Sequence, residues 1–86
     1  MSDTPLVRSG RLSDLAPETL YAILKLRSDV FVVEQQCAYA DMDGRDADPD
    51  TIHMWLEDDE GVVAALRILG GTVPQIGRIA TRADRR

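Results

Sequence analysis

A chain of 86 residues holds one domain at most, and domains this small bury a smaller share of their surface than larger ones. Hydrophobic residues make up 44% of it, aromatics only 5% and charged residues 29%, which excludes a disordered chain and points to a modest Leu/Ile/Val core. The net charge of −5 has the wrong sign for nucleic acid or an anionic membrane and leaves cationic and neutral partners open.

The opening MSDTPLVRSGRLSDL lacks the apolar run of a signal peptide. No later stretch approaches the ~20 apolar residues of a membrane span. Within residues 5–12 a short first strand is expected around Leu6 to Arg8. Pro17 suits the first turn of a helix, and Glu18 sits well at the positive end of its dipole. Leu20, Ile23, Leu24, Val30 and Phe31 then recur at the spacing of one buried helical face. The β-branched Val30, Val32 and Val33 weaken helix propensity, so the helix is expected to finish near Glu34.

Residues 37–50 (CAYADMDGRDADPD) combine Gly44, Pro49 and five aspartates and read as a solvated, turn-rich loop. Cys37 is the single cysteine, which excludes an internal disulfide and a thiolate metal cluster and fits a reducing, cytoplasmic setting. Ile52, Met54 and Leu56 alternate with His53, Trp55 and Glu57, as in a strand. A turn at Asp58–Gly61 leads into the more apolar strand VVAALRIL, making a hairpin. Gly70, Gly71 and Pro74 precede a third strand, QIGRIAT, and the polar RADRR follows. One helix with three or four strands leaves one sheet face uncovered and the last strand a bare edge, so the sequence reads as an incomplete domain.

Three arginines interrupt apolar patterns. Arg27 lies within the helical stripe, either snorkelling to water or paired inward with a carboxylate such as Glu34. Arg67 and Arg78 lie on neighbouring strands. They are unremarkable on a solvated face, but need acidic partners, Glu34 or the loop aspartates, if that face is covered. The aspartate loop fails as an EF-hand: with Gly44 at position 6, Tyr39 falls at position 1 and Asp50 at position 12. His53, the only histidine, is placed to act as a base or to hydrogen-bond a substrate. No nucleophile elbow, P-loop or three-glycine dinucleotide fingerprint is present.

As a string, residues 15–86 are more specific than any of these features. Leu26, Arg27 and Val30 to Gln35 are followed by Cys37, Tyr39, Asp41, Asp43, Gly44 and Asp46, then His53, Ala65 to Leu69 and Ile76 to Ile79. In this order and spacing they resemble the amino-terminal block of the ElaA-like group of GNAT N-acetyltransferases. The resemblance implies an α/β (α+β) fold with a mixed, mostly antiparallel sheet and an N-terminal helix, residues 1–86 being the amino-terminal part of a single domain. It also implies acetyl transfer from acetyl-CoA, as cosubstrate, to a small-molecule or peptide amine. Ile79, Ala80 and Thr81 would then lie along the pantetheine arm, and Arg86 would open the pyrophosphate loop. The consensus departs at Thr81 and Ala83, where valine and proline are usual. Arg27, Glu34, Tyr39 and His53 become candidate acceptor-site residues, with no catalytic acid or base assigned and no metal. The alternative is a non-catalytic module that dimerises through its open edge; a homodimer and a complementing carboxy-terminal segment are both compatible with this sequence.

Overall fold

The computed structural model describes residues 6–34 and 43–85. Strands β1 (Leu6–Gly10), β2 (Ile52–Asp58), β3 (Gly61–Leu69) and β4 (Gln75–Thr81) form one sheet in the order β1-β2-β3-β4. Every pairing is antiparallel. The last three strands are a meander with short connections, which needs no crossover. β1 comes from the far end of the chain to pair with β2, Leu6 opposite Glu57 and Gly10 opposite His53. These strands agree with the sequence reading to within a residue or two.

Helix α1 (Pro17–Arg27) starts on Pro17, with Glu18 in the first turn and Lys25 and Arg27 in the last, so its charges complement the helix dipole. The chain stays helical to Glu34, as expected, but residues Ser28–Glu34 are wound as a π-helix. Val30, Val32 and Val33 crowd a normal α-turn, and the wider turn re-phases the face so that Val30 is buried while Val32 and Val33 are exposed.

α1 packs across β3 and β4. Ile23, Leu26 and Val30 from the helical segment meet Trp55, Ala65 and Ala80 from the sheet, with Leu15, Phe31 and Val62 around them. Ala65 and Ala80 are register partners, so the sheet surface beneath the helix is low and the helix can approach closely. Trp55 is satisfied where it reaches the edge of the core, its Nε1 donating to Glu57 at 3.2 Å.

The two faces of the sheet differ in kind. His53, Trp55, Val63, Ala65, Arg67 and Leu69 are buried on the helix side, whereas Ile52, Met54 and Leu56 remain partly accessible. The more polar face of β2 is therefore the covered one. Burial of this sort demands partners for His53 and Arg67.

Past β4, Arg85 pairs with Asp58 and Glu60 at 2.6 and 2.7 Å, tying the end of the described chain to the β2–β3 turn. At the other end of β3, Gly70 abuts Asp50. A Cβ there would lie 2.4 Å from Asp50 Cβ and 3.0 Å from its carbonyl oxygen. Gly70→Ala should therefore force the loop off the sheet at a cost of about 1–3 kcal/mol, read as a lower urea midpoint.

Candidate functional site

Gly44 sits at φ 87°, a left-handed conformation that favours glycine. The turn it makes carries Asp43 and Asp46, and both carboxylates face the sheet. Arg27 binds Asp46 bidentately, Nη1 to Oδ1 at 2.7 Å and Nη2 to Oδ2 at 3.2 Å. Arg67 Nη1 donates to the same Asp46 Oδ1 at 3.1 Å and to Asp43 Oδ1 at 2.9 Å, while its Nη2 donates to Asp43 Oδ2 at 2.8 Å. Arg78 Nη2 reaches Asp43 Oδ2 at 3.4 Å. Three arginines from α1, β3 and β4 thus converge on two aspartates of one loop.

The loop is held by neutral bonds as well. Arg45 N–H donates to Asp43 Oδ1 at 3.1 Å, and Thr51 Oγ1 donates to the Arg45 carbonyl at 2.7 Å. His53 Nε2 lies 3.0 Å from the Asp46 carbonyl. A carbonyl can only accept, so Nε2 carries a proton and donates it in this hydrogen bond. Arg27 and His53 are each 1% exposed, Arg67 is 3% and Asp46 is 7%.

Such burial is tolerable only because the charges are paired. The bidentate Arg67 guanidinium holds the Asp43 carboxyl well below the usual range, outweighing burial, with help from the Arg45 N–H and Arg78. Burial pushes Asp46 up, but Arg27 and Arg67 together outweigh it and hold it low. The bonds to Asp43, and then to Asp46, push Arg67 above its ordinary value against the opposing effect of burial.

The second feature is β4. Between the pairs Ala65–Ala80 and Arg67–Gly77, β3 has one residue and β4 has two, so β4 carries a bulge at Arg78–Ile79. Arg78 adopts φ 52°, the one non-glycine positive φ among the described residues. Ala80 is 2% exposed under α1 and Ile79 is 61% exposed on the opposite face. Arg82 N–H donates to the Val63 carbonyl at 2.9 Å, and by the antiparallel alternation the Thr81 peptide points away from β3. On the open face Val7, Met54, Leu56, Ala64, Leu66 and Ile79 line an apolar groove of about 240 Å³.

The residues singled out in the sequence fall into three groups. Ile79, Ala80 and Thr81 lie together on β4, Ile79 within the bulge and the other two just past it. Arg27 and His53 meet on the Asp43–Asp46 turn, where Arg27 pairs with Asp46; the suggested pairing with Glu34 falls on a side chain outside those described. Glu34 ends the π-helical turn, while Tyr39 and Arg86 lie outside the described residues. The solvated-loop reading fails for Asp46, which is buried. Its signal was present in the three interrupting arginines, whose charges had to be balanced by carboxylates close enough in sequence to form one turn.

No protein-family model matches the chain. A UPF0039 protein of Mycobacterium tuberculosis is 44% identical over 89 residues, covering 96% of this chain and 57% of that protein. Protein ElaA of Escherichia coli is 49% identical over 59 residues, covering 66% of this chain and 37% of ElaA. The crystal structure of an acyl-CoA N-acyltransferase from Pseudomonas aeruginosa superposes with a TM-score of 0.90 at 36% identity, over 96% of this chain and 60% of that one. This chain is similar in sequence and fold to the amino-terminal part of ElaA-like GNAT proteins. The ElaA crystal structure gives a TM-score of 0.86 at 36% identity, over 93% of this chain and 57% of that one. The matched part of the chain thus spans between 37% and 60% of the length of these relatives.

Two outcomes follow from the network. Asp46→Ala removes the bidentate carboxylate from buried Arg27 and one of the two carboxylates on buried Arg67, and should cost about 3–5 kcal/mol in urea unfolding. Asp43, depressed in the folded state, stabilises fully above its ordinary value of about 3.9, and that contribution fades as pH falls through the acid range. The stability gap between the parent and Asp43→Asn should therefore be widest near neutrality and narrow steadily below about pH 4.

Proposed function

We propose that this chain provides the acyl-donor strand of an N-acetyltransferase that moves an acetyl group from acetyl-CoA to a small-molecule or peptide amine. The observation that carries the reading is β4, an edge of the described sheet with a bulge at Arg78–Ile79, in a chain 44% identical to an ElaA-like relative. An edge strand of this kind is what an extended ligand with amide groups needs for strand-like pairing. The pantetheine arm is such a ligand.

In the proposed reaction a neutral amine nitrogen attacks the thioester carbonyl. The N–C bond forms, the C–S bond breaks, and the departing thiolate takes up a proton while the amine loses one. Residues 79–81 orient the donor, and Arg86 begins the segment that meets the pyrophosphate. Glu34 and Tyr39 belong to the acceptor wall. Arg27 and His53, each 1% exposed, act on that wall from behind by fixing the Asp43–Asp46 turn. The cytoplasm, where a single thiol stays reduced and acetyl-CoA is available, is the setting that suits this chemistry. No helix among the described residues is long and apolar enough to cross a membrane.

These 86 residues contribute one part of that site, so the chain by itself is proposed to be inactive. A second reading, a non-catalytic module that dimerises along β4, draws on the exposure of Val73, Ile76 and Ile79. Acetyl-CoA titrated calorimetrically into the chain should give no micromolar binding, whereas a chimera with residues 1–81 in place of the matched part of Escherichia coli ElaA should bind it and release CoA thiol with amines. Failure of the chimera to bind, together with a stable dimer of the 86-residue chain in sedimentation, would favour the module.

A further inference from the structure

Arg78 stands where a glycine would be easier. A left-handed φ is unfavourable for a residue with a Cβ, which crowds the following carbonyl oxygen. Gly77, immediately before it, shows that the strand tolerates glycine here. An arginine at φ 52° therefore needs a compensating interaction, and its guanidinium provides one by reaching Asp43 Oδ2 at 3.4 Å. Asp43 is itself fixed on three sides, by two bonds from Arg67 and one from the Arg45 N–H. It lies 35 positions earlier in the chain.

What the bulge controls is the phase of the strand. With the extra residue absorbed at Arg78–Ile79, Ala80 points into the core and Ile79 to the open face. Loss of the bulge slips residues 75–78 against β3 or flips residues 79–81, because strand faces alternate with a period of two. Either change misplaces the Thr81 peptide.

We infer that Asp43 is a positioning residue for the acyl-donor strand, holding Arg78 in its left-handed conformation and so fixing the bulge that sets the register of Ile79–Thr81. The Asp43–Asp46 turn and the donor strand are then one mechanical unit, and a displacement of the turn is transmitted to the strand through the Asp43–Arg78 tie. This rests on the proposed role of β4 in holding acyl-CoA, but the bulge and its tie are testable without any ligand.

The test uses amide hydrogen exchange and backbone NMR of the 86-residue chain, read at Ala80 and Thr81. Arg78→Ala keeps the backbone cost and removes the tie, so the bulged conformer should lose roughly two- to fivefold in population, with Ala80 protection falling to match. Arg78→Gly removes the cost together with the tie and should leave Ala80 and Thr81 close to the parent. Asp43→Asn should move the same two amides, and Asp43→Asn with Arg78→Gly should restore them. A merely structural Asp43, acting only through Arg67, would show no such rescue. The inference is overturned if Arg78→Ala and Arg78→Gly behave alike, or if glycine at position 78 fails to restore the Asp43→Asn spectrum. The first comparison survives even if Asp43→Asn does not fold. Normal ligand-free results with an ElaA chimera that binds no acetyl-CoA would leave the tie in place and remove only the assigned use of the strand.

Discussion

The covered face of this sheet depends on one carboxylate shared by two arginines. Asp46 takes Arg27 from the helix and Arg67 from β3 on the same Oδ1. Asp46 balances part of the charge of each buried arginine, and they in turn balance the carboxylate that burial would otherwise penalise. The geometry is demanding: the helix must end where Arg27 reaches inward, the loop must turn at Gly44, and β3 must present Arg67 on the helix side. A buried ion network contributes little net stability over an apolar core, but it admits few alternative arrangements. Its effect here is to dictate where the loop after the helix lies.

The remainder of the covered face follows from that placement. His53 is buried because the Asp46 carbonyl is there to accept its proton, and Thr51 because the Arg45 carbonyl is. The aliphatic cluster of Ile23, Leu26, Val30, Trp55, Ala65 and Ala80 fills the other end of the same interface. The protein therefore has a two-part interior, one half apolar and one half ionic, joined along α1 by the neighbours Leu26 and Arg27. The opposite face of the sheet has no such organisation among the described residues, and its side chains form only the shallow apolar groove.

The regular elements were legible in the sequence because each carries its own period: alternation marks β2 and β3, and the three-to-four spacing marks α1. The ElaA-like relationship was legible because several blocks match in order. The ionic half was legible only as a question. Arg27, Arg67 and Arg78 each broke a pattern, yet a single sequence does not say which of five aspartates or Glu34 answers each one. That pairing is fixed by a left-handed turn at Gly44 and by burial, neither of which has a periodic signature. The bulge was hidden for a related reason. Arg78 after Gly77 looks like ordinary strand sequence, and only pairing against β3 reveals that β4 has a residue to spare.

The strand order has a consequence for assembly in time. β2, β3 and β4 pair with their neighbours in sequence, and short loops close cheaply. Arg27 and Asp46 are separated by 19 positions and Asp46 and Arg67 by 21, so helix, turn and meander can come together through moderately local contacts. β1 is different. Its pairing of Leu6 with Glu57 must enclose the helix and the whole acidic loop, which is the longest closure in the sheet. Of the three strand pairings, that of β1 with β2 therefore carries the largest loop-closure entropy.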